Sequence, residues 1–252
     1  MADVYCDCVR RVWGLSMATI HEQLLAAVGG RRGVEAADRL CAASVVLFGV
    51  DAVAISLVFD GANVGTLGAS GAMARRYDEL QFTLGEGPCL DAVTHRAPVM
   101  VVDLSDPGEI RWPAYGPAML AHQIRSVYAM PVVLAGEYVG ALDLFHSNPM
   151  VLGTDQLVGA TLAAELAQLP LLDLVGEDLQ AAVNDPDSDA WTELNTLARA
   201  EVGQATGMLM AQLNINAPEA LVRLRAHAYA SGRGATDVAR DILDRRLRLQ
   251  AD

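Results

Sequence analysis

Val202-Gly203-Gln204-Ala205-Thr206-Gly207-Met208-Leu209-Met210 decides how this chain is read. Val202, Ala205 and Leu209 recur at three- and four-residue steps, and the same step reaches back to Leu194, Leu197 and Ala198 and forward to Leu213. That spacing is one apolar face of an α-helix. Gly203 and Gly207 each weaken such a helix by about 1 kcal/mol relative to Ala, so their presence predicts a neighbouring helix in close approach. Asn216, with Glu219 three residues on and Pro218 between them, starts a second helix whose Ala220, Leu221, Leu224 and Ala228 face inward. Ser231-Gly232 ends it, and a third helix turns Val238, Ala239, Ile242 and Leu243 inward. Three short helices with short loops make a small bundle, expected to be marginal alone.

Upstream, Asn184-Asp185-Pro186-Asp187-Ser188-Asp189 is a polar, turn-rich break. It divides the chain, and Ser188 or Asp189 can cap the helix that follows. Before it, the pattern predicts helices over 20–28 and 35–48, then strands over 53–59, 65–69, 99–102, 127–134 and 138–145. Gly136-Glu137 forms a hairpin turn. Thr154 caps a helix from 155 to about 169, interrupted at Pro170. Strands framed by helices make an α+β domain with a mostly antiparallel sheet. The units expected are an extension over 1–19, a front domain over 20–178, a linker over 179–190 and a helical tail over 191–252.

Net charge is −13, and it is unevenly spread. Residues 1–190 hold 10 Arg and 24 acidic side chains; residues 191–252 hold 8 Arg and 7 acidic ones. The chain has no lysine. An acidic front repels nucleic acid, and a near-neutral tail with clustered arginines has a different task. Four cysteines, with only Cys6 and Cys8 close together, and five scattered histidines give no metal-ligand spacing and no disulfide framework. No signal peptide or membrane span is read, so a cytoplasmic location with reduced thiols is expected. No phosphate-binding Gly-rich loop, nucleophile elbow or Cys–His pair stands out, and an enzyme is not expected.

The tail stretch 202–210 resembles the signature of the ANTAR family, Ala-x-Gly-x-Leu-Met. Ala220, Leu224-Arg225, Arg233 and Asp237-Val238-Ala239 resemble its continuation. Thr206 stands where that family often has Lys. The front domain resembles a GAF domain, on Leu84-Gly85-Glu86-Gly87-Pro88-Cys89-Leu90-Asp91-Ala92, Asp103-Leu104, Arg111-Trp112-Pro113 and Tyr138-Val139-Gly140-Ala141-Leu142-Asp143-Leu144. Together they imply an α+β GAF sensory domain followed by an all-α three-helix ANTAR module. The resemblance implies binding of tandem hairpins in nascent messenger RNA and transcription antitermination.

Arg199, Arg225, Arg233 and Thr206 are the RNA-binding residues the resemblance implies. Arg245 and Arg248 read instead as solvated partners of Asp241 and Asp244 at i to i+4. Tyr229 is read as half-buried packing. Glu86, Cys89, Arg111 and Trp112 are the candidate sensor-pocket residues, with the ligand left open as a small molecule or nucleotide. Pro88 opens a short helix, which places Cys89 near free N–H groups, though a buried thiol accounts for it as well. A DNA-binding regulator and a dimeric scaffold are the competing functions. A homodimer is expected, with helix 155–169 and the stripe from Leu194 to Leu213 pairing two chains. Deleting 1–180 would then weaken RNA binding. It would strengthen binding if the front domain instead masks the tail.

Overall fold

The computed structural model describes residues 19–59, 61–175 and 199–250. The Cys6-Cys8 pair, the polar break at 184–189 with its capping residues, and Leu194, Leu197 and Ala198 of the tail stripe lie outside the described residues. Helix α1 (19–28) ends where Gly29 and Gly30 take left-handed backbone, with φ 59 and 72°. Helix α2 (Gly33–Phe48) stops at Gly49 for the same reason.

Strands β1 (Ala52–Phe59), β2 (Ala62–Ala69), β3 (Val99–Val101), β4 (Ser126–Leu134) and β5 (Glu137–His146) form one sheet. Its order is β2-β1-β5-β4-β3, and each neighbouring pair is antiparallel. The β4–β5 turn falls on Ala135-Gly136, with φ 51 and 87°, and Glu137 already pairs with Leu134. Two positive-φ residues give the twist a two-residue hairpin needs, so the turn lies one residue earlier than expected.

Alternation splits the strands between two cores. One face carries Val53, Ile55, Tyr128, Met130, Leu142 and Leu144 against α2, α6 (Thr154–Leu166) and α7 (Gln168–Val175). Gly68 lets α2 approach closely, since a Cβ there would lie 2.5 Å from that of Ala37. The other face carries Ala52, Ala54, Ala129 and Ala141 against α3 (Ala72–Leu84), α4 (Pro88–His95) and α5 (Tyr115–Ala121). Four alanines on that wall leave depth for polar side chains between sheet and helices. Gly153, not Thr154, is the N-cap of α6, and its N–H is satisfied by Gln156 Oε1 at 2.8 Å. Pro170 sits in the first turn of α7, where its missing N–H has no intrahelical partner to lose. Among the described residues, no helix is long and apolar enough to cross a membrane.

The tail is a bundle of α8 (Ala200–Leu213), α9 (Ala217–Ala230) and α10 (Ala235–Leu243). Asn216 Oδ1 accepts the Glu219 N–H at 2.9 Å, the cap its sequence specifies. Val202, Ala205, Leu209, Leu224, Val238 and Ile242 fill the core, and Phe82 of the front domain joins them. The described part of the α8 stripe is therefore buried within this chain, as are Ala160, Ala163 and Ala164 of α6. Neither set presents itself to a second chain. The close approach expected at Gly203 and Gly207 is also absent, because a Cβ at either would meet nothing within 4 Å. Gly207→Ala is expected to stabilise the tail by about 1 kcal/mol. An unchanged urea midpoint would show that this open face has an occupant in solution.

Candidate functional site

The sequence reading has no helix at 72–84, and α3 is the element on which the site is built. Its stripe is interrupted by polar residues that turn out to be buried. Asp78 and Gln81 face the alanine wall of the sheet, whereas Glu79, Phe82 and Thr83 face the tail. At the start of α10, the Ala235 N–H donates to Thr83 Oγ1 at 3.1 Å and the Thr236 N–H to Glu79 Oε1 at 2.9 Å. A carboxylate at this helix N-terminus also complements its dipole. Gly234 permits the approach, since a Cβ there would lie 2.6 Å from Glu79 Oε1.

Arg199 reaches from the tail into the front domain. Its guanidinium donates to Asn63 Oδ1 at 2.7 Å, Thr66 Oγ1 at 3.4 Å and Asp78 Oδ2 at 3.1 Å. The Arg199 and Asp78 side chains are 7% and 0% exposed. Arg199 also lies 4.5 Å from the centroid of the Phe82 ring, and Arg225 lies at the same distance. Arg225 Nε is buried without an acceptor. Burial, and then the charge of Arg199, hold the Arg225 pKa below the usual guanidinium value.

Beneath Arg199 lies a polar chamber. Ser56 Oγ contacts both Asp78 and Asp143, Asn63 Nδ2 donates to Asp78 at 2.8 Å, and Gln81 Nε2 donates to Asp143 at 3.1 Å. One hydroxyl hydrogen cannot serve two carboxylates, so one carboxyl must carry a proton. Burial, and next the charge of Asp78, push the Asp143 pKa well up, which makes Asp143 the protonated partner. The folded chain therefore keeps a proton that the unfolded chain has already lost above the ordinary carboxylate range. Stability from this group is present at low pH and is lost as pH rises towards the raised pKa. Asp143→Asn is expected to flatten that decline in a series of urea melts, and an unchanged slope would place the proton elsewhere.

The candidate sensor residues make separate contacts. Glu86 accepts the N–H groups of Ala114 and Tyr115 at 2.6 and 2.7 Å, which caps α5. Arg111 pairs with Glu109 and lies 4.4 Å from the Trp112 ring centroid. Trp112 Nε1 donates to Asp91 Oδ2 at 3.2 Å. Glu86 and Trp112 thus link the start of α4 to the approach to α5, while Arg111 stays within the loop over 109–112. Only Cys89 borders the chamber, where Asn63 Nδ2 approaches its Sγ at 3.6 Å. Burial, then Asp143 and Asp78, raise the thiol pKa well up, so it stays protonated. Asp78, Cys89 and Asp143 bring ligand-type atoms within 4.8 Å of one another. A metal there would need the Asp78 carboxylate that Arg199 now engages.

In the tail, Thr206 Oγ1 donates to Val202 O at 2.7 Å and is buried. Arg233 pairs with Asp241 at 2.7 Å and remains partly exposed. Asp241 also pairs with Arg246 at 2.8 Å, and Asp244 with Arg246 at 2.7 Å, rather than with Arg245 and Arg248. Tyr229 is 59% exposed, not packed. It lines a groove of about 660 Å³ with Arg75, Arg76, Arg233 and Arg240. The missed residues carry a faint signal: Asp143 and Ser56 are polar residues within apolar strands, in step with inward-facing alanines.

A model of the GAF domain matches residues 34–169, over half of the chain, and a model of the ANTAR domain matches residues 194–243. A search of curated proteins gave no match. Similar solved structures include the GAF domain of a phosphoenolpyruvate-protein phosphotransferase from Coxiella burnetii. It is 18% identical, covers 61% of this chain and 94% of that one, and has a TM-score of 0.45. The corresponding Acinetobacter GAF domain is 12% identical, covers 67% and 98%, and has a TM-score of 0.48. Free methionine-R-sulfoxide reductase from Neisseria meningitidis is 20% identical, covers 62% and 89%, and has a TM-score of 0.45.

Proposed function

This chain belongs to the GAF family and carries an ANTAR domain behind its GAF domain, and from that premise we propose a signal-controlled RNA-binding regulator. It binds tandem hairpins in nascent messenger RNA and promotes antitermination. It works in the cytoplasm as a homodimer that presents two tails, and it catalyses no reaction. Two hairpins on one RNA make the second contact intramolecular, which offsets the modest charge of a single tail.

The observation that carries this reading is the packing of a buried Arg199 and a half-buried Arg225 against Phe82. Two of the four residues implied in RNA binding are engaged by the sensory domain, so the sensor controls their availability. Arg225 Nε lacks an acceptor in that arrangement, and a phosphate oxygen would supply one. Arg233 and Tyr229 stay accessible along the groove, suited to a phosphate and a stacked base. Thr206 acts on RNA only through the position of α8, since its hydroxyl is bonded to its own helix. A small molecule in the GAF domain is the signal. Cys89 borders its chamber, and Glu86 and Trp112 hold the wall formed by α4 and α5.

The test is titration of the full chain with tandem-hairpin RNA and with duplex DNA of equal length, over a salt series. RNA should bind more tightly, and log affinity should fall linearly with log salt. Arg233→Ala should weaken RNA binding by about 1–3 kcal/mol with helicity unchanged. Equal affinity for both nucleic acids would favour a DNA-binding regulator, and no salt-dependent binding would favour a scaffold.

A further inference from the structure

We propose that the seat of Arg199 in the GAF domain is the signal site, and that its ligand is a small organic cation with a guanidinium-type head. The ligand takes the place of the Arg199 side chain and frees the tail. This inference rests on the regulatory reading above.

The seat is shaped for a flat, multiply donating cation. Asn63 Oδ1 meets one terminal nitrogen of Arg199 at 2.7 Å, while Thr66 Oγ1 and Asp78 Oδ2 meet the other at 3.4 and 3.1 Å. The Phe82 ring, 4.5 Å from the guanidinium carbon, supplies an aromatic surface. A fork of N–H groups over a ring is guanidinium chemistry; a compact ammonium uses fewer of these contacts.

A second observation points to a ligand larger than the Arg199 head. Asp143 Oδ1 and Tyr115 Oη are buried without a hydrogen-bond partner, on residues that are 0% exposed. Asp143 joins the seat through Ser56 Oγ, which contacts Asp78 as well. Orphaned polar atoms are rare in protein interiors. A further N–H of the ligand would satisfy the carboxyl oxygen.

Withdrawal of Arg199 requires a replacement. Asp78 is 0% exposed, so departure of the guanidinium would strand a buried carboxylate beside a second acid. Arg199 itself sits at φ 47°, a left-handed backbone that its contacts must hold. RNA takes the arginine, the ligand takes the vacated seat, and each raises the other's affinity by the same factor.

The experiment uses the full chain, with agmatine and methylguanidinium as probes and potassium chloride at matched ionic strength as control. Hydrogen exchange at the Ala235 and Thr236 amides reads docking without RNA, because both are bonded to the GAF domain. At millimolar agmatine, exchange at both amides should rise about tenfold or more, and affinity for tandem-hairpin RNA should rise by a similar factor. Thr66→Val, a mild change at the seat, should shift the response to several-fold higher agmatine. Faster exchange without a change in RNA affinity would uphold the signal site and sink the RNA reading. RNA binding with exchange indifferent to both probes would sink the signal site and leave the RNA reading standing. A response to zinc or manganese but not to agmatine would overturn the proposal in favour of a metal on Asp78, Cys89 and Asp143.

Discussion

Phe82→Ala is expected to destabilise the full chain by about 3–5 kcal/mol, the usual loss for a large aromatic core residue, and to detach the tail. Phe82 is buried, yet the core it enters is that of the ANTAR bundle, not of its own domain. It is also the surface shared by Arg199 and Arg225. Its loss removes apolar burial and both cation–π contacts together, and the small bundle has few other contacts to replace them. Urea unfolding should change from one transition to two, and the Ala235 and Thr236 amides should lose protection. A single transition with those amides still protected would mean that the domains are held together elsewhere.

Asp78→Asn should have an effect of similar size and should likewise free the tail. Removing one partner of a buried ion pair leaves the other uncompensated, at about 3–5 kcal/mol. Here the stranded group is Arg199, and it can escape by leaving with the tail. The variant should therefore bind tandem-hairpin RNA more tightly than the parent, although Asp78 belongs to the GAF domain. The docked tail favours masking over the expectation that the front domain only supplies a dimer. Tighter binding by Asp78→Asn tests that directly in the whole chain. Weaker binding with intact helicity would restore the dimer-only account.

Much of the fold is legible in the sequence because local periodicity and punctuation are strong where one face is uniformly apolar. Strands β1, β4 and β5 read as short, mostly apolar runs and are buried on both faces, Asn216 and Glu219 mark the start of α9, and Gly29, Gly49 and Gly232 mark ends of helices. The α8 stretch and the 84–92 and 138–144 segments also carry enough spaced residues to identify both families.

Helix α3 is the counterexample. Its inward positions mix Ala74 and Tyr77 with the polar Asp78 and Gln81, and its outward Phe82 belongs to another domain's core, so polar residues break the apolar stripe that would betray it. The same cause hides the surroundings of Arg199 and Arg225. A sequence shows that Arg199 and Arg225 are cations, but not whether each meets phosphate, solvent or a buried carboxylate. Glu86 likewise reads as a pocket acid until α5 is brought against it and the Ala114 and Tyr115 N–H groups both donate to its Oε1. Gly203 and Gly207 suggested a close neighbour that the packing does not provide. By itself the sequence determined the elements and the two families, because those depend on patterns a few residues long. Which side of each element is free, and which arginine lies against the front domain, was decided only when residues over a hundred positions apart met, as Arg199 meets Asp78. Such pairings depend on burial and charge compensation in three dimensions, and these leave no local period in the chain.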